Sequence, residues 1–377
     1  MTDALRPRAW RNATLALVVA ALATALGGCT GTATQRTPEQ VRAQLRQLIP
    51  ASVPDRAGWA ADIQGAFAAL EIDPTAQNLC AVLAVTEQES TYTANPAVPG
   101  LGKIATGEIE ARAARYKIPA FVVRGALQLE SPNGETWQTR ISRVRTEKEL
   151  SDLFEEMIAK VPMGSRLLAR ANPVRTGGPM QVSIAFAEAH AKQRTYPYAV
   201  DGSIRREIFT RRGGMYFGIA HLLDYPASYD KPLFRFADFN AGRYASRNAA
   251  FQNAIAVATG IPLDLDGDLI RYRKGKARGD VSATERAVLS LADQLGMTPA
   301  QIRDGLEDSH LSRFERSALY AGVFEIGDRR NGKPLPRATL PRIRLHSPKI
   351  TRKLTTEWFA TRVNRRYNQC MKKAKRG

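Results

Sequence analysis

Between Asn78 and Gly102 the chain reads NLCAVLAVTEQESTYTANPAVPGLG, and this stretch limits the fold more than any other. The run from Leu79 to Val85 is apolar, with Leu79, Val82, Leu83, Thr86 and Ser90 recurring every three to four residues. That spacing predicts a helix with little surface left for water, which other elements must cover. Glu87 and Glu89 come at its end, Ser90 and Tyr92 follow, and Asn95, Pro96, Pro99 and Gly100 predict its stop. A carboxyl group held at the end of a buried helix is poised to donate a proton. The plainer reading is two solvated acids finishing a helix.

At 377 residues, 44% of them hydrophobic and 24% charged, the chain has room for a targeting segment and a sizeable core, and it is not extensively disordered. Arg6, Arg8 and Arg11 precede an apolar or small-residue run, Ala13 to Leu26, and then Leu26-Gly27-Gly28-Cys29. That order resembles a bacterial lipoprotein signal: residues 1–28 are removed, Cys29 is acylated, and 29–37 form a tether. The run falls short of the ~20 residues that cross a bilayer. By resemblance to enterobacterial sorting, Thr30 after the cysteine favours the outer membrane, with the protein facing the periplasm. Cys80 and Cys370 are then left, either to pair in an oxidising compartment or, for Cys80, to serve as core.

Organised structure is expected from Pro38, with Thr37 capping a helix and a second running from Arg56 to Glu71. An alternating patch, Phe121 to Leu129, predicts a strand or hairpin before the turn Ser131-Pro132-Asn133-Gly134. Thr146 and Glu149 form a capping box ahead of Leu150, Leu153, Phe154, Met157, Ile158 and Val161. Helices follow over Val182 to Ala191 and Ser246 to Thr259. Ser282 with Glu285, Thr298 with Gln301 and Ser312 with Glu315 each signal a helix start. A last helix carries Leu354, Trp358, Phe359, Val363 and Tyr367.

Several chemistries are excluded by spacing. Asp264, Asp266 and Asp268 lack the Gly and Glu that a calcium loop needs, since Leu269 and Gly275 stand there. Gly100, Gly102 and Gly107 do not follow a strand, which argues against a dinucleotide site. His190, His221, His310 and His346 are scattered, without HExxH, paired cysteines or a serine elbow. No cofactor and no metal are expected.

Three fragments occur in order: Glu89-Ser90-Thr91-Tyr92, Gly178-Pro179-Met180-Gln181 and Ala237-Asp238-Phe239-Asn240-Ala241-Gly242. Together they resemble the signature motifs of lysozyme-like lytic transglycosylases, over roughly Gln40 to Gly260. The chain also looks like a group of uncharacterised bacterial lipoproteins. The first resemblance implies a mainly α (α+β, lysozyme-like) fold: a helical goose-type-lysozyme or transglycosylase core over 38–272, with an insertion at about 103–176. It implies that Glu89 is the acid that cleaves the MurNAc-GlcNAc bond to leave 1,6-anhydro-MurNAc ends, with Ser90, Tyr92, Met180, Gln181, Phe239 and Asn240 binding substrate. Glu87 lies on roughly the opposite side of the helix, and Glu130-Ser131 is a decoy. Phe239 replaces the family's Tyr, Pro179 a flexible residue, and the interval from Glu89 to Gly178 is long. These departures favour the alternative, a non-catalytic peptidoglycan-binding or envelope-assembly lipoprotein; a hydrolytic muramidase is third.

Residues 273–377 are expected to form a basic helical C-terminal module. The net charge of +19 concentrates there: Asn331 to Gly377 carries fourteen Lys or Arg against one acid, Glu357, or +13. The expected partners are peptidoglycan strands, the membrane through the N-terminal anchor, and an anionic envelope surface through Asn331–Gly377. The compartment excludes nucleic acid.

Overall fold

Side-chain caps mark where most helices begin. Thr37 accepts from the Gln40 amide at 3.2 Å and opens α1, Pro38–Leu48, with Pro38 where no amide hydrogen is required. Asp55 and Thr75 cap α2, Arg56–Ala69, and α3, Ala76–Ser90, at 3.0 and 3.1 Å. Next come α4, Leu101–Arg115, α5, Ala120–Leu127, α6, Trp137–Arg143, and α7, Glu147–Ala159, which opens on the Thr146–Glu149 capping box. A hairpin of β1, Thr176–Gly177, and β2, Val182–Ser183, leads into α8, Ile184–Gln193, and α9, Ile204–Ile208. Then follow α10, Arg211–Leu223, α11, Pro232–Ala241, and α12, Ala245–Thr259. Beyond lie α13, Ala283–Leu289, α14, Ala292–Leu295, α15, Pro299–Glu307, α16, Ala318–Asn331, and finally α17, Thr356–Ala374. Two further antiparallel hairpins complete a mainly helical protein. This computed structural model describes residues 36–160, 172–273, 276–277, 279–345 and 354–376. Cys29 and the signal segment lie outside the described residues, as do 161–171 of the expected insertion.

Packing explains the apolar run. Every residue from Leu79 to Thr86 is buried, because α17 lies along α3 and also along α11, while α10 packs against α2. The inner face of α17 is Phe359, Ala360, Val363 and Tyr367, and Tyr367 meets the Phe236 ring at 5.7 Å. Cys80 and Cys370 are joined by a disulfide across this contact, their Cα atoms 5.5 Å apart and 290 residues distant in sequence. Both alternatives for Cys80 therefore hold, since it is core and bridge at once. A second apolar cluster gathers Phe251 and Ile255 of α12, Val288 of α13, Ile302 of α15, and Val323 and Phe324 of α16 around Phe314.

Residues Arg42–Gly377 form one compact unit. Packing crosses the boundary expected at 272/273, for α12 pairs with α16, and α17 returns to α3.

Some local expectations change. Phe121 to Leu129 is not a strand: α5 covers most of it, with Val123 and Leu127, four apart, facing inward while Phe121, Val122 and Leu129 stay exposed. The apparent alternation was never an alternation of buried and solvent faces. Ser312–Arg316 is only a 3-10 turn, and Ser317 caps the helix instead, its hydroxyl donating to Phe314 O at 2.8 Å and accepting from Tyr320 N at 3.1 Å. The helix expected from Val182 begins at Ile184, after a strand pair. α3 stops before any proline, as Thr91 and Tyr92 turn left-handed at φ 51° and 57°.

Candidate functional site

The last turn of α3 leaves a wholly buried segment, so its side chains emerge among other elements rather than on an open face. Glu87 turns toward α17, where Arg366 Nε lies 3.4 Å from its carboxylate and Arg366 Nη1 donates to Gln88 Oε1 at 2.8 Å. Glu89 behaves differently. It keeps a partial opening to solvent, and among the described residues its carboxyl has no hydrogen bond and no ion pair. Burial pushes it up to about 8, and the negative charge of Glu147 pushes the same way. At neutral pH Glu89 is therefore a protonated acid without a hydrogen-bond or ion-pair partner among the described residues.

Glu147 is the residue that sequence reasoning missed. It is 6% exposed and begins α7. An isolated bridge pairs Ala97 with Thr146, and Val98 N donates to Arg145 O at 2.8 Å, so the chain leaving α3 is stitched to the start of α7. No local pattern reports a neighbour this distant in sequence.

The other expected site residues are placed as follows. Ser90 Oγ donates to Thr86 O at 3.2 Å and accepts from Thr93 N at 3.2 Å, closing the end of the helix. Tyr92 is 5% exposed, with its hydroxyl on Leu83 O and its ring edge-on to Trp59 at 5.6 Å. Met180 is fully buried against Gly218, where any Cβ would collide with it. Gly178, at φ 73°, faces the Ile208 carbonyl so closely that no side chain fits. Gln181 remains partly exposed at the hairpin tip, at φ 49°, accepting from Thr176 Oγ1 at 3.3 Å and donating to Gly178 O at 3.2 Å. Phe239 is buried beside His221 at 5.0 Å, and Asn240 Oδ1 accepts from Thr356 Oγ1 of α17 at 2.9 Å. Glu89 shares no hydrogen bond with the second or third motif; the first and third are joined by the packing of α17 on both α3 and α11, and the second by α10, which carries Gly218 against Met180 and packs on α3.

Within the third motif the organising group is Asp238, a position the resemblance leaves open. Fully buried, it accepts from Tyr229 Oη at 2.6 Å, Tyr225 Oη at 3.3 Å, Tyr244 N at 2.9 Å and Ser246 N at 2.7 Å, tying α11 to the start of α12. Burial outweighs these bonds and holds its carboxyl above the ordinary value. Nearby, His221 gives its Nε2 to Phe239 O at 3.2 Å, and burial lowers it to about 4, so it is neutral.

A cavity of about 800 Å³ is lined by Arg140, Asp152, Glu155, Arg206 and Glu207, away from Glu89. Its charges are tied into pairs such as Arg140–Glu156 at 2.9 Å and Arg206–Glu155 at 3.4 Å, so it offers no uncommitted acid comparable to Glu89. Part of the basic C-terminus is likewise committed internally, as Arg366 pairs with Glu87 and Arg337 with Asp328 at 2.8 Å.

In sequence, residues 52–373 match a family described as protein of unknown function (DUF1615). The chain is 54% identical over 352 residues to the uncharacterized protein YaiW of Escherichia coli (strain K12), covering 92% of this chain and 95% of that protein. No solved structure matches. The matched range runs from before α2 into α17, across the boundary expected at 272/273.

Proposed function

Since the chain belongs to this family of unknown function, no activity is inherited with the membership, and we propose from the site itself that it is a peptidoglycan lytic transglycosylase with a lysozyme-like core. One observation carries the reading: Glu89 is an acid without a hydrogen-bond or ion-pair partner among the described residues, held protonated at neutral pH and partly open to solvent. A glycosidic oxygen leaves only when protonated, and a carboxyl raised by desolvation is the donor for that step. Glu89 gives its proton to the oxygen as the bond to the MurNAc anomeric carbon breaks. The N-acetyl oxygen of that sugar attacks the same carbon, so no second protein carboxylate is required. The ionised Glu89 then takes the proton of the sugar's 6-hydroxyl, whose oxygen attacks the anomeric carbon, expels the N-acetyl oxygen and closes the 1,6-anhydro ring, which restores the acid.

The setting supports an envelope protein. A disulfide belongs to an oxidising compartment, and acylation of Cys29 would hold the chain at the outer membrane, facing the periplasm. The Asn331–Gly377 segment keeps exposed cations for an anionic surface beyond those paired internally.

A second reading, a non-catalytic peptidoglycan binder, is favoured by the burial of Ser90, Tyr92, Met180 and Phe239, which here serve the scaffold. Digestion of purified sacculi with mass identification of the products separates them. Anhydro-muropeptides are expected; reducing ends would mean hydrolysis, and retained binding without products would mean a scaffold.

Glu147→Gln gives a finer test. Removing its charge lowers the raised Glu89 value, so the alkaline limb of the pH–activity profile moves to lower pH. The carboxyl titration of Glu89, followed by carbon NMR, moves with it. An unchanged titration would sever the coupling.

A further inference from the structure

Of the nine large hydrophobic residues exposed among the described ones, five fall between 116 and 129: Tyr116 at 78%, Phe121 at 72%, Leu129 at 65%, Val122 at 47% and Ile118 at 42%. They stand on the turn from α4 to α5, on the outer side of α5 and, for Leu129, just beyond its end. Soluble surfaces seldom gather apolar side chains in this way without using them. Much of the backbone beneath is closed. Lys117 N donates to Ala114 O at 2.9 Å, Ile118 N to Ala113 O at 3.0 Å, and Val122 N to Pro119 O at 3.1 Å. These amides carry their hydrogen bonds with them to an apolar boundary, and those of Ala120 and Phe121, at the uncapped start of α5, are left for headgroup oxygens.

Charge selects the partner. No acidic residue occurs between 111 and 129, whereas Arg115, Lys117 and Arg124 border the patch. Arg124 stays 66% exposed even with Glu110 at 3.7 Å. A protein docking face would bury these cations or pair them, but a bilayer accepts both features, with rings and aliphatic chains in the acyl boundary and cations among anionic headgroups. No described helix is long and apolar enough to cross a membrane, so the contact is interfacial. We propose that the α4–α5 turn is a membrane-docking tip that inserts Tyr116, Ile118, Phe121 and Val122 into an anionic lipid surface. This does not depend on the activity of Glu89. It supplies a contact additional to any lipid on Cys29.

The test uses the full chain, with Phe121→Cys carrying a polarity-sensitive dye, Ile261→Cys as the exposed control elsewhere, and the parent chain as labelling blank. Phosphatidylcholine vesicles with and without phosphatidylglycerol are added. The expected result is a several-fold rise and blue shift of emission at position 121 with phosphatidylglycerol, reduced by salt, and none at 261. An equal response at both positions would overturn the proposal. So would insertion indifferent to lipid charge, or a response that grows with protein concentration in the absence of lipid, which would mean a second copy of this chain covers the patch.

Discussion

Glu89→Gln is expected to lower the release of muropeptides from sacculi by about a thousandfold, the scale lost when a positioned general acid is removed. Wild-type activity should fall as pH rises through about 8, where Glu89 ionises. Stability gives a second readout that needs no substrate. The folded value of Glu89 lies above its ordinary value near 4.5, so the folded state holds a proton that the unfolded chain releases. The wild type is most stable below the unfolded value and loses stability as pH climbs toward 8. Glutamine cannot ionise, and it escapes this loss. Between pH 4 and pH 8 the variant should gain about 1–3 kcal/mol on the wild type, discounted for the partial exposure of the side chain. Denaturant titration at the two pH values measures it. Parallel pH dependence in both proteins would show that Glu89 is an ordinary solvated acid.

The second large effect concerns the disulfide. Cys80→Ala with Cys370→Ala should lose about 2–5 kcal/mol, because the bridge closes a very long loop in the unfolded chain. The loss should be visible locally as well, since the outer face of α17 carries Arg365, Lys372 and Lys373, all trypsin sites. Limited proteolysis is expected to cut there first in the double variant and not in the oxidised wild type. Two reactive thiols in the denatured, non-reduced parent would instead show that Cys80 and Cys370 do not pair.

What the sequence made legible was what neighbouring residues decide. The capping boxes at Thr146 and Thr298, the buried run from Leu79 and the inner face of the last helix all depend on residues within a turn or two. Phe121 to Leu129 misled because its apolar residues outnumber those that face the core. Glu147 could not be read beside Glu89, since their approach rests on an irregular bridge between Ala97 and Thr146. Met180 and Phe239 carry the look of a cleft motif yet lie within the core. Asp238 drew no notice because its four donors come from residues whose spacing forms no pattern.

The position of α17 also sets a timetable. The helix that bears Glu89 is made early and the one that covers it is made last, with 290 residues between the cysteines that lock them. Until the final turns have been synthesised and exported, α3 lacks one wall and the apolar run from Leu79 to Thr86 stays partly uncovered. The core around α3 is thus completed only once the entire chain has reached a compartment where disulfides form, and a product truncated before Thr356 would carry every motif residue without the helix that covers and locks α3.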